Sequence, residues 1–193
     1  MSLLGHNNGP SMEAGYGWRK HSWAKARRDL LPTLPIEVLR RRVNRAKELG
    51  LPYKTYASVR AASGHDVVAF LFSSNALRVF RDGAPMPAHR AEKLLSVERA
   101  SLTTLAQPPL DPARLIATLM SEHGIALKAA GPAPHFAASW SDTRAAVIAP
   151  LRAAGLPRDG VLVVGDTDAE RDWCAAGRLA GFVPSDVHFG ETA

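Results

Sequence analysis

Residues 160–181, GVLVVGDTDAERDWCAAGRLAG, constrain this chain more than any other stretch. Val161, Leu162, Val163 and Val164 form an apolar run without alternation. A run that offers no face to water suits a strand covered on both sides, which is the condition of a parallel sheet. Gly165 ends the run. Asp166, Thr167 and Asp168 follow, and each has a side-chain oxygen able to cap a helix. In that helix Trp173, Cys174, Ala176, Leu179 and Ala180 can share one face, and Gly181 suits its C′ position. A strand, an acidic turn and an amphipathic helix in succession predict an α/β fold.

The preceding 100 or so residues repeat the alternation. Residues 67–72, VVAFLF, read as a buried strand that runs into Ser73, Ser74 and Asn75, where a helix could begin. Asp82-Gly83 marks a turn, and residues 87–97 read as a helix. Residues 100–106 read as a strand, less apolar because of Ser101, Thr103 and Thr104. Asp111 and Pro112 form an N-cap and first-position pair, opening a helix that Gly124 closes after His123. A third strand is expected over 125–130 and a loop over 131–140. A helix follows from Ser141 or Asp142 to Ala154, and Pro150 should bend or shorten it. Residues 182–193 read as a tail. The expected architecture is a mostly parallel, Rossmann-like three-layer sheet over residues 64–193. Ahead of it lie a basic helical extension over 18–63 and a flexible tail over 1–17.

The 193 residues are 46% hydrophobic, enough to bury a real core. No apolar run approaches the roughly 18 residues that cross a bilayer, so no membrane partner is expected. The opening MSLLGHNNGP lacks a basic start and a long apolar segment, so no secretory signal is expected. The single cysteine, Cys174, excludes an intramolecular disulfide and a cysteine zinc cluster, and cytoplasmic localisation is the default. Charge is uneven. Residues 1–63 hold 12 Lys and Arg against 4 Asp and Glu, whereas the remainder holds 12 against 14. Such asymmetry points to a polyanionic partner, either nucleic acid or an acidic protein.

The basic surplus has a periodic carrier. Ile36, Leu39, Val43, Ala46 and Leu49 make an apolar stripe, opposite Arg40, Arg41, Arg42, Arg45 and Lys47. Gly50 ends this helix, and a second is expected over 54–62. Arg40, Arg41, Arg45, Lys47 and Lys54 are the candidate phosphate contacts. Ala46, Gly50, Leu51, Tyr56 and Val59 resemble the small and apolar positions of helix-turn-helix DNA-binding units. Gly50, Tyr53 and Thr55 resemble the joint between helices in ribbon-helix-helix antitoxins. Either resemblance implies nucleic-acid binding.

Open parallel sheets bind ligands beyond the carboxyl ends of their strands. Ser73, Ser74 and Asn75, Gln107, and Asp166, Thr167 and Asp168 share that rim. Ser73, Ser74, Asp166 and Thr167 are the candidate ligand-binding residues, with backbone N–H groups near Ser73 and Ser74 suited to a phosphate. The string GDTDAERD resembles the fourth motif of the haloacid-dehalogenase superfamily. That resemblance implies a magnesium ion on Asp166 and Asp168, since hard cations take carboxylate oxygens. The same family carries a nucleophilic Asp in a DxD pattern after its first strand, where this chain has Ser73, Ser74 and Asn75. No catalytic residue is therefore assigned. Magnesium is the only cofactor considered, and only under a second reading in which the rim is that of a phosphate- or nucleotide-handling hydrolase. A protein-interaction module is the third reading. The seven histidines form no HxH or HExxH pair, and His65-Asp66 lies at the amino end of its strand, away from the rim.

Overall fold

Five parallel strands organise the computed structural model, which describes residues 34–190. The elements are α1 (Ile36–Glu48), α2 (Tyr53–Ser63), β1 (Ala69–Ser73), α3 (Ala88–Leu95), β2 (Ser101–Ala106) and α4 (Pro112–His123). There follow β3 (Leu127–Pro132), α5 (Trp140–Ala153), β4 (Val161–Gly165), α6 (Asp168–Gly177), β5 (Gly181–Pro184) and α7 (Ser185–Phe189). The sheet order is β3-β2-β1-β4-β5. Phe70 lies between Leu102 and Leu162 in register, and Phe72 between Thr104 and Val164. The fold is α/β and Rossmann-like. A compact unit begins at Arg40. The tail expected over residues 1–17 and the first part of the basic helical extension, residues 18–33, lie outside the described residues.

Both faces of the sheet are covered, as the unalternating strands require. Phe70, Phe72, Leu162 and Val164 face one layer with Ala46, Leu49, Tyr56, Val59, Leu94, Leu115 and Leu119. Leu71, Leu105, Val161 and Val163 face the other, with Val147 and Leu151 of α5 and Trp173 of α6. β1 and β4 are buried at every position. The hydroxyls of β2 do not disturb this core, because Thr103 Oγ1 donates to Phe70 O at 2.8 Å and Thr104 Oγ1 to Phe72 O at 3.0 Å. Of the stripe expected on α1, Ala46 and Leu49 are buried, whereas Ile36 and Leu39 stay exposed.

Asp66 fastens α1 and α2 to the amino end of β1. Its carboxylate accepts from Arg45 Nε at 3.0 Å, from Tyr56 Oη at 2.8 Å and from Val67 N at 3.0 Å. The Arg45 guanidinium also donates to Glu48 and to the carbonyls of Val67 and Arg99. Arg45 and Arg99 hold the Glu48 carboxyl below its usual range, the hydrogen bond from Arg45 contributing most. His65 takes no part, since its Nε2 lies 3.4 Å from Asp159 instead.

Three local expectations change. Pro150 does not end α5, which runs on to Ala153. Its buried ring packs on Gly131, where an added Cβ would lie 3.3 Å from Pro150 Cγ and Cδ. Residues 74–78 form a turn, not a helix, closed by Leu77 N to Ser73 O and Val79 N to Ser74 O. The expected tail contains β5 and α7. β5 extends the sheet beside β4, and α7 inserts His188 among Phe70, Phe72 and Phe189.

Candidate functional site

The strand order reverses between β1 and β4, which makes the crevice at their carboxyl ends the switch point where ligands bind in open α/β sheets. The loop after β1 brings Ser73, Ser74, Asn75 and Arg78 to it, and the loop after β4 brings Asp166 and Thr167. Ser73 and Ser74 are fully buried. Ser73 Oγ accepts from Ala76 N and Ser74 Oγ from Gln107 N, both at 3.0 Å. One hydroxyl thus closes the turn and the other ties β1 to the end of β2.

Thr167, not Asp166 or Asp168, caps α6. Its hydroxyl accepts from Glu170 N at 3.2 Å, and Glu170 Oε2 accepts from Thr167 N at 3.0 Å, forming a capping box. The fully buried Glu170 accepts two further bonds, from Asp166 N at 2.6 Å and from Asn75 Nδ2 at 2.9 Å. Asp166 is engaged on both oxygens. Arg78 Nη1 donates to Oδ2 at 2.7 Å, and Ser185 Oγ of α7 donates to Oδ1. Arg78 holds this position with a φ of 57°, in the left-handed region that non-glycine residues seldom occupy. Asp168 points to solvent, with Arg171 Nε 3.8 Å away. The crevice is therefore bridged by the protein's own pairs, Asn75–Glu170 and Arg78–Asp166. Among the described residues no three His, Cys, Asp or Glu side chains gather into a group able to hold a metal ion.

The basic candidates divide. Arg40, Arg41, Lys47 and Lys54 are exposed. Arg45 is half-buried in the Asp66 network, where it holds α1 against the sheet.

A second feature had no motif to announce it. A cleft of about 190 Å³ opens where Gln107 follows β2, the loop 134–138 follows β3, and the first turns of α5 and α6 meet. Phe136 is 91% exposed and Trp140 57% exposed, and both line it. Trp173, buried, and Asp172 line it from α6. The His135 ring sits 4.4 Å from that of Phe136, and its Nδ1 accepts from Ala137 N. The only local signal was the aromatic residues in the proline-bearing string GPAPHFAASW.

No described helix is long and apolar enough to cross a membrane. No family model matches the chain, and no curated protein or solved structure shows significant similarity to it.

Proposed function

We propose that this chain is a non-catalytic, nucleic-acid-associated α/β protein that takes phosphates on the outer side of α1 and the start of α2. The supporting observation is a contrast in how charge is used. At the switch point each candidate acid but Asp168 is answered by a donor of the same protein. On α1 and α2, Arg41, Lys47 and Lys54 reach solvent, and Arg40 is exposed beside them although it is not without a partner. Arg40 and Lys47 are two helical turns apart and so project along one side of α1. Arg45 acts as a positioning residue, because its guanidinium binds Asp66 and two carbonyls.

Each duplex phosphate neutralised contributes about −0.9 to the slope of log K against log salt. Four contacts predict a slope between about −3 and −4, or roughly a hundredfold loss of affinity between 50 and 200 mM salt. The test is fluorescence anisotropy with labelled duplex DNA, single-stranded DNA and RNA. A variant with Arg40, Arg41, Lys47 and Lys54 all changed to Ala should lose binding and flatten the slope. Equal affinity and slope in the two proteins would end the proposal. The competing reading, a magnesium-dependent phosphate hydrolase using Asp166 and Asp168, is weaker because Arg78 and Ser185 already engage Asp166. Docking of an acidic protein on the same face would instead show as a co-purifying partner that survives nuclease.

A further inference from the structure

We propose that the cleft at the carboxyl ends of β2 and β3 binds an organic cation, an ammonium or guanidinium group held against Phe136 and Trp140 and paired with Asp172. The inference is independent of the basic-helix reading.

Three observations converge on a cation. Phe136 and Trp140 are large apolar side chains that face solvent and line the same cleft. Aromatic faces carry the negative end of the ring quadrupole and attract a positive group placed over them. Asp172 supplies a full negative charge in the same lining, and no described residue pairs with it. Among the described residues no Lys or Arg lines the cleft, and Asp172 is the one carboxylate in its lining. At the N-terminal end of α6 the capping box already engages Glu170 N and Thr167 N, and Asp166 N donates to Glu170, so part of that positive end is answered within the protein.

The floor is already built. Trp173 is buried beneath the cleft and belongs to the packed layer of Val147 and Leu151. A ligand would therefore close an existing cleft without opening the core. The group recognised could be a free small cation or an Arg or Lys side chain of a peptide, and the two sources share this chemistry.

The experiment titrates the full chain with choline and with N-acetylarginine amide, following tryptophan fluorescence and backbone amide NMR shifts. The neutral isosteres 3,3-dimethylbutan-1-ol and N-acetylcitrulline amide run beside them. The expected result is a saturable response to at least one cation in the millimolar range or below, with shifts at residues 135–143 and 169–173. The neutral isosteres should bind at least tenfold more weakly, as should cations to Asp172→Asn and Phe136→Ala. Both side chains are exposed, and a melt of each variant checks that the fold is kept. Preference for choline would identify a free small cation, and preference for the arginine amide a peptide side chain. Loss of the four exposed cations on α1 and α2 should leave this binding unchanged, so it fails separately from nucleic-acid binding. Equal binding of the neutral isosteres, undiminished binding to Asp172→Asn, or no saturable response would overturn the proposal.

Discussion

Glu170 should be the most sensitive polar residue of the rim, and its replacements should separate charge from connectivity. Its carboxylate is fully buried and accepts from Asp166 N, Thr167 N and Asn75 Nδ2. Glu170→Ala removes the acceptor for three donors at once. An orphaned buried donor costs about 1–3 kcal/mol. Asp166 and Thr167 lie at the protein surface, and Asn75 is half-buried, so water can reach part of the gap. The lower end of that range applies to each, and the expected loss is about 3 kcal/mol. Glu170→Gln behaves differently. Its amide oxygen can keep the two backbone donors, while its NH₂ faces Asn75, which can turn to present Oδ1. The two backbone donors keep their acceptor and the Asn75 NH₂ turns toward water, so the expected loss is about 1 kcal/mol.

Equilibrium urea unfolding reads both values, with unchanged m confirming that the same surface is exposed. In the Asn75→Ala, Glu170→Ala double variant the two losses should fall short of additive by about 1 kcal/mol, because the shared bond is broken only once. Gln and Ala losing the same stability, or Ala losing less than about 1 kcal/mol, would refute the view that three satisfied donors hold this rim together.

Other substitutions probe other joints. Asp66→Ala removes the anchor of Arg45 and Tyr56 and should cost about 1–2 kcal/mol by urea unfolding, moderated by the partial exposure of the pair. Gly165→Ala should cost about 3 kcal/mol, because its Cβ would stand 2.9 Å from Glu170 Cβ, Glu170 Oε2 and Phe182 Cε2. His188 should make stability fall in acid. Burial first, and then the charges of Lys93 and Arg90, push its pKa from the ordinary 6.5 down to about 3. The unfolded chain therefore binds a proton that the folded chain refuses. Stability is fully present above pH 6.5 and is lost by up to about 1.4 kcal/mol per pH unit as pH falls towards 3. Neither ring nitrogen has a hydrogen-bond partner among the described residues, so His188→Leu should reduce that dependence without lowering stability at pH 7. A pH profile as steep as that of the unaltered chain would show that other groups carry it.

Strands β1, β2 and β4 were legible because apolar runs bounded by Gly, Ser or Pro leave few alternatives to a buried strand. β5 was not, since it has four residues with Gly181 and Pro184 at its ends, and both read locally as punctuation. Its strand character comes from the ladder that β4 offers, a non-local cause. The cap of α6 was partly legible. Asp166, Thr167 and Asp168 are all able to cap, but only Thr167 sets a Glu at the third following position that completes the box. Arg45 looked like one cation among five on a basic face. The residue that removes it from that face, Asp66, lies 21 positions away. The cleft draws residues from three separate segments, and no spacing within any one of them encodes its convergence.

The acidic turn shows why composition alone does not settle the chemistry of a site. Asp166, Asp168, Glu170 and Asp172 fall within seven residues, yet the fold gives each a different environment. Asp166 is neutralised by Arg78 and bonded by Ser185, Asp168 stands in water, Glu170 is buried as an acceptor for three donors, and Asp172 faces an aromatic cleft. Helical geometry explains part of the dispersal, because neighbours on a helix point about 100° apart. The partners explain the rest. Arg78 comes from the β1 loop in a left-handed conformation, and Ser185 arrives on α7, the element hidden in the expected tail. A cation site needs several carboxylates turned to one point. Among the described residues, Asp172 is the one acid of the turn that lines a cleft without a partner, and the groups beside it are rings, which suit a soft organic cation better than a hard metal ion.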